Sequence, residues 1–425
     1  MRKIVSFATD QNFINKALQH ADRESHAVYL NPNSYPYPHK AFLSVLAFGM
    51  WKELNVDTNP TFESLKLFLN EHKDWTFGYF SYDLKNELEK LNSKNTDSLN
   101  FPVLSFFIPK HILFFSEHFT EIHSLEDPEK LFESIQKEET KTISYPSEKI
   151  NIEQRISKND YIHKVKKLQE LILQGDIYEI NFCMEFFIQN ITLNPFNTYQ
   201  VLNSISPMPF SCYLKLNHQY LLCASPERFL KKEKQTLISQ PIKGTSKREM
   251  DTEKDETIRL GLENSQKERA ENIMIVDLVR NDLSYCAKAG SVKVEELCRV
   301  YSFPLVHQMI STITAEADTK YHAVDIIRKA FPMGSMTGAP KIKAMQLIEE
   351  YEETLRGLFS GAVGYFTPEM DFDFNVVIRS ILYNQHKKYL SFQAGSAITY
   401  NADAEKEYEE CLIKTAAIRK AITLD

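Results

Sequence analysis

Glu407, Glu410 and Lys414 stand three and four residues apart near the C-terminal end of this 425-residue chain. That spacing puts them on one face of a helix. Glu268 and Glu271 form a second pair, three apart, in an earlier helical run. Two helices that each present paired carboxylates could together hold a magnesium ion. Magnesium takes a few carboxylates and fills its other positions with water and substrate oxygens. Taken singly, such pairs are ordinary solvated helix faces; only their convergence would make a site.

Three further segments could carry chemistry. Lys243 lies beside proline and glycine in Gln240-Pro241-Ile242-Lys243-Gly244-Thr245. A lysine there is a nucleophile if burial depresses its pKa, although a lone lysine is usually a surface residue. Glu227, in Ser225-Pro226-Glu227-Arg228-Phe229, directly follows an apolar strand. Partial burial would raise its pKa and suit it to general acid work. The loop Gly334-Ser335-Met336-Thr337-Gly338-Ala339-Pro340-Lys341 leads into a helix N-terminus, which favours anions. Its spacing is not that of a nucleotide-binding P-loop, so a carboxylate pocket fits it better than ATP. His307 and Arg379, each taken alone, read as structural. No G-x-S-x-G elbow occurs and no cysteine is flanked by glycines, so a triad hydrolase has no support.

The elements that must position these residues are legible in outline. Tyr161, Ile162, Val165, Leu168, Leu171 and Ile172 recur at helical spacing and Gly175 reads as the C-terminal cap. Helices are also expected over 265–285, from Pro340, and over 404–422, with helix-like runs at 40–54 and 61–71. Strands are expected at 27–30, 76–81, 104–108, 112–115, 177–182, 212–216, 220–224, 361–366, 372–382 and 390–394. Strands often follow one another with no helix between, which predicts an α+β fold with antiparallel sheets. The polar connector at 126–157 divides an N-terminal region, 1–150, from a catalytic region, 151–425.

Composition bounds the function. Lys plus Arg is 50 and Asp plus Glu is 57, a net charge of −7 that argues against a nucleic-acid binder. With 43% hydrophobic and 25% charged residues the chain is an ordinary globular one. No apolar run approaches the ~18 residues of a membrane span, and the start of the chain is too short in apolar residues for a signal peptide. The six cysteines form no CxxC pair, so neither zinc nor a disulfide framework is expected. The simplest expectation is a reduced, cytoplasmic protein that engages neither nucleic acid nor membrane.

Together these segments resemble the chorismate-utilising enzymes. The matching stretches, in the family's order, are Ser225–Phe229, Pro241–Thr245, Glu268–Asn272, Asp277–Asp282, Gly334–Lys341, Ser360–Gly364, Ile378-Arg379 and Ala404–Glu410, with a weaker match at Phe77–Asp83. The resemblance implies two large antiparallel β-sheets packed as a sandwich with helices outside. It implies Mg2+ held mainly by Glu271 and Glu410, with Glu268 and Glu407 close by, and chorismate bound through the metal. Arg379 and the Gly395 backbone would hold the enolpyruvyl carboxylate, and His307, Thr337 and Lys414 would line the pocket.

Family members that aminate chorismate at C4 resemble this chain in carrying lysine at the position of Lys243, whereas those that aminate at C2 usually carry alanine. The expected activity is therefore conversion of chorismate and ammonia to 4-amino-4-deoxychorismate, toward 4-aminobenzoate and folate. Lys243 would attack C2 and Glu227 would protonate the departing hydroxyl. The alternatives are C2 amination with loss of pyruvate to give anthranilate, then isochorismate formation, and a non-catalytic paralogue. No glutaminase segment occurs, so ammonia is expected from a separate glutamine amidotransferase subunit. Two features depart from the family pattern: Glu179 stands where glutamine is common, and no Leu-Leu-Glu-Ser-type tryptophan segment is found.

Overall fold

Successive side chains of a strand point to opposite faces, and here both faces are buried. Val28, Leu30, Val45, Ala47, Leu214 and Leu221 enter one core. Their chain neighbours Tyr29, Leu46, Phe48, Tyr213 and Leu222 enter a second. The second core is closed by the helices Gln11–Ala21, Lys158–Gln174, Pro195–Ile205 and Ala404–Ile422. The first also receives Phe77, Leu230, Ile310 and Val363 from a further set of strands, and residues of the helices Thr61–His72, Gln266–Ser284 and Ala323–Ala330. The result is two antiparallel sheets sharing an inner core, with helices outside: an α+β sandwich. The computed structural model describes residues 2–58, 60–89, 91–140, 142–303 and 306–423.

Every pairing between the named strands is antiparallel. One arm runs from Leu104–Phe115 through Val45–Val56, His26–Asn31, Phe210–Leu216, Gln219–Ser225, Ser380–Asn384 and Tyr389–Ile398 to Glu179–Ile188. The other leaves the opposite edge of Leu104–Phe115 through Thr76–Phe80, Ala362–Phe366, Phe372–Asn375, Arg228–Glu233 and Thr236–Gln240 to Val306–Glu316. Strands from residues 1–150 are thus interleaved with strands from 151–425. Among the described residues no helix is long and apolar enough to cross a membrane.

Three expected elements differ. The run at 40–54 is not a helix: Val45–Val56 is a strand. Its Val45 and Ala47 face one core and Leu46 and Phe48 the other, so no polar alternation marks it as a strand. The segments on either side of Pro109 are one strand, Leu104–Phe115, with Pro109 opposite Met50 next to a register shift. The expected strand 372–382 is two strands, Phe372–Asn375 and Ser380–Asn384, in different arms. The break between them builds the site.

Candidate active site

The chain crosses from one sheet to the other twice at the same place. Gln219–Ser225 belongs to the first arm and Arg228–Glu233 to the second, so Pro226 and Glu227 form one crossover. Residues 376–379 form the other. The crossovers are stitched together: Val376 N donates to Glu227 O at 3.0 Å, Ser225 Oγ to Val376 O at 2.6 Å, and Ala224 N to Arg379 O at 3.2 Å. Arg379 sits at φ 51, a left-handed backbone that a non-glycine residue rarely adopts. Such conformations are held by surrounding structure and gather at functional sites.

Beside these crossovers lies a cleft of about 530 Å³, lined by Glu227, Lys243, Glu268, Glu271, Arg379, Gly395, Glu407, Glu410 and Lys414. The structure therefore gathers nine of the eleven candidate residues. Thr337 is fully buried, and its Oγ1 donates to Met333 O and Gly334 O at 3.3 and 3.2 Å. His307 is also buried, its Nε2 3.0 Å from Asp255 and its Nδ1 2.8 Å from Ser302. Neither lines the cleft, although their neighbours Val306, Ser335 and Met336 do.

The acidic side of the cleft is built by two helices. Gln266–Ser284 is capped by Ser265, whose Oγ accepts from Glu268 N at 3.3 Å, and it carries Lys267, Glu268 and Glu271. Ala404–Ile422 is capped by Asp403 and carries Glu407, Glu410 and Lys414. Lys267 bridges the helices, 3.2 Å from Glu407 Oε1 and 3.9 Å from Glu271 Oε1. Lys414 lies 2.7 Å from Glu410 Oε1 and donates to Gly395 O at 2.8 Å. Burial pushes Glu271 up to about 7 and also raises Glu268. For Glu410 burial acts in the same direction, but Lys414, Lys267 and Lys243 outweigh it and lower its pKa. Sequence reading missed Lys267, although its i,i+4 spacing to Glu271 was the available signal.

These carboxylates suit a hard divalent cation. Glu271 Oε1 is buried with no hydrogen-bond partner, an atom left to accept from something else. Among the described residues no three carboxylate, histidine or cysteine side chains already close on one point. A cation here would complete its shell with water and substrate oxygen.

Lys243 enters from the strand Ile242–Lys247, with its Nζ 2.9 Å from Glu179 Oε1. Burial disfavours its charge, but the carboxylates of Glu179, Glu271 and Glu227 outweigh burial and hold the ammonium well above lysine's ordinary range. The expected depression of its pKa is thus reversed, because Glu179 is the partner. Gly244, at φ 85, lets the strand pass Glu268: a Cβ there would lie 3.0 Å from Glu268 Oε2. Burial pushes Glu227 up to about 7, against the pull of Lys243 and Arg379. A carboxyl of that affinity can donate a proton near neutral pH.

The Gly334–Lys341 loop lines the cleft through Ser335 and Met336 and also holds a neighbouring strand. Gly338-Ala339 pairs with Ile180 and Glu179 as a short strand. Gly338 has φ 149, and a Cβ there would collide with Glu179 O and lie 2.9 Å from Ile180 Cα. Asn181 Nδ2 donates to Ser335 O at 2.9 Å and Asn181 N to Thr337 O at 2.8 Å. Lys341 turns away to Asp282, 2.8 Å off. The loop clamps the strand that carries Glu179.

Known proteins are similar to this chain in sequence and fold. The family model described as "chorismate binding enzyme" matches residues 38–420. The chain is 29% identical over 394 residues to aminodeoxychorismate synthase component 1 of Bacillus subtilis, covering 89% of this chain and 82% of that one. It is 33% identical over 343 residues to the Klebsiella aerogenes protein of the same name, covering 80% and 75%. Among solved structures, anthranilate synthase component I from Streptococcus pneumoniae superposes with a TM-score of 0.77 at 24% identity, covering 91% and 96%. Shared fold, relatives above 30% identity and a family match across most of the chain agree: the chain belongs to the chorismate binding enzymes.

Proposed function

We propose that this enzyme aminates chorismate at C4 to give 4-amino-4-deoxychorismate. The observation that carries the reading is the presence, in one cleft, of a partly buried amine at Lys243, its side chain 13% exposed, and a carboxyl at Glu227 whose proton affinity lies near neutrality. The similarity to aminodeoxychorismate synthase component 1 of two bacteria supports it.

Arg379 and the Gly395 backbone hold the enolpyruvyl carboxylate. Glu271 and Glu410, with Glu268 and Glu407 beside them, hold Mg2+, which when bound anchors the ring carboxylate and offsets like charge. The free amine of Lys243 forms a bond to C2, the two conjugated ring double bonds each shift one bond toward C4, and the C4–O bond breaks. Glu227 gives its proton to the departing hydroxyl, which leaves as water. Ammonia then bonds to C4, both double bonds shift back, and the C2–N bond breaks with its electron pair returning to Lys243. The new C4 ammonium returns a proton to Glu227. A separate glutamine amidotransferase supplies the ammonia.

Product identification tests this. The protein, chorismate, Mg2+ and ammonium are incubated and the product is examined by mass spectrometry. An aminated product that retains the enolpyruvyl group is expected. Anthranilate with free pyruvate, or isochorismate, would overturn the reading.

A further inference from the structure

Among the described residues Lys243 makes one close ion pair, with Glu179, and that carboxylate is the deepest in the ion pairs of the cleft. Glu179 is 1% exposed, against 3% for Glu407, 9% for Glu271 and 42% for Glu410. Its Oε1 takes the Lys243 ammonium at 2.9 Å, while its Oε2 is buried with no hydrogen-bond partner. Leaving that second oxygen without a protein donor costs about 1–3 kcal/mol. In the Arg356–Glu352 pair, elsewhere in this core, both oxygens are used: Glu352 Oε2 accepts from Arg356 and Oε1 from both Arg356 and Cys183 N. The backbone holding Glu179 is fixed from the other side by Gly338-Ala339. The carboxylate is buried and half satisfied by protein groups, and it faces an amine that must lose a proton before it can form a bond.

We infer that Glu179 is the proton acceptor for Lys243. This rests on the covalent reading above. Before attack, one proton passes from the Lys243 ammonium to Glu179, leaving a neutral amine and a neutral carboxyl. The amine's lone pair bonds to C2 while Glu227 protonates the hydroxyl that leaves. The adduct is a secondary ammonium, so no further proton moves. When ammonia bonds to C4 and C2–N breaks, Lys243 recovers its lone pair and takes the proton back from Glu179. Each proton is conserved and none goes to solvent.

This has a signature in pH. The transfer is internal to the pair, so its equilibrium does not depend on bulk pH. Without Glu179, Lys243 must release its proton to solvent, and the reactive fraction then rises tenfold per pH unit below its pKa. The other charged groups facing the amine are Glu271 and Glu268 from the 266–284 helix, Glu227 from the crossover, and Glu410 from the 404–422 helix. Arg379, Lys247, Lys267 and Lys414 line the same cleft. All of them are present in both native protein and variant, so a ratio of rates cancels their titration.

The test is the half-reaction. Native protein, Glu179→Gln and Glu179→Asp are mixed with chorismate and Mg2+ without ammonium, quenched, and the adduct on the Lys243 peptide is quantified by mass spectrometry from pH 6 to 9. The native-to-Gln rate ratio should fall with rising pH, approaching tenfold per unit. The native-to-Asp ratio should stay constant, with chorismate affinity unchanged in both variants. A Gln ratio independent of pH would overturn the proton-acceptor role while leaving the covalent reading intact. No adduct in the native protein would overturn both.

Discussion

Lys243→Met removes the cation from a carboxylate that has almost no other support. Glu179 keeps its burial and its orphaned Oε2, and Glu271 and Glu227 remain as neighbouring acids. Breaking one side of a buried ion pair typically costs about 3–5 kcal/mol, because the charge left behind has lost both water and partner. At roughly 2.1 cal/mol/K of unfolding entropy per residue, 425 residues give about 0.9 kcal/mol/K, so Tm should fall by about 3–6 °C. The double variant Lys243→Met/Glu179→Gln removes the stranded charge and should recover most of that loss. The assay is calorimetric unfolding of the three proteins at pH 8, without metal or substrate. A single variant within about 1 kcal/mol of native at pH 8, with no recovery in the double variant, would refute the reasoning that Lys243 neutralises Glu179.

Lys243→Met should also abolish C4 amination while leaving chorismate affinity nearly intact; full amination by the variant would remove the covalent role. Glu227→Gln should lower turnover by about 10²–10⁴-fold, the usual worth of a positioned general acid. Because Glu227 acts protonated and its affinity is raised to about 7, native turnover should fall as pH rises through 7 at constant free ammonia. That falling limb should be absent from the variant's residual activity, and its persistence would assign it to another group. Glu410→Gln should weaken Mg2+ binding by at least about tenfold, the scale on which even the partners of metal ligands act; an unchanged calorimetric titration would reject it as a ligand. Gly395→Ala should cost about 1–3 kcal/mol of overpacking. Its Cβ would collide with Cys183 Sγ and lie 2.7 Å from Phe182 O. An unchanged Tm would show that the strands part without cost.

What the sequence made legible was local. Residue periodicity marked the helical runs at 265–285 and 404–422, Gly175 marks a stop, and the glutamate spacings place carboxylates on helix faces; all depend on residues within a few positions of one another. What it hid was pairing. Leu46 and Phe48 could not be told from a helical face, because strand partners bury both sides of Val45–Val56. The break at 376–379 was invisible because Val376, Val377 and Ile378 read as continuous strand, while the chain there changes sheets. Glu179 and Lys243 are 64 residues apart, and pairing of the Glu179 strand with Gly338-Ala339 and Tyr389–Ile398, which local sequence does not show, holds it in place. Lys243 was to be a nucleophile if burial lowered its affinity for its proton; Glu179, Glu271 and Glu227, unplaceable from sequence, outweigh burial.

Charge decides which ligand such a cleft can accept. Its lining carries five cations, Lys243, Lys247, Lys267, Arg379 and Lys414. It also carries five carboxyls, Glu227, Glu268, Glu271, Glu407 and Glu410. Glu179 adds a sixth just behind Lys243. A dianion entering alone would meet carboxylates already spoken for by lysines and gain little. A divalent cation entering alone would have to compete with Lys267 and Lys414 for the same oxygens. Entering together they would add no net charge: a cation taking the helix-borne glutamates would release Lys267 and Lys414, which with Arg379 would face the two carboxylates of chorismate. Such an arrangement would couple metal and substrate, since each would relieve the repulsion that opposes the other. Chorismate affinity should consequently rise with Mg2+ concentration and Mg2+ affinity rise by the same factor with chorismate, a reciprocity that two calorimetric titrations can measure. Equal chorismate affinity with and without Mg2+ would mean that the glutamates of the two helices and the cations beside them act independently.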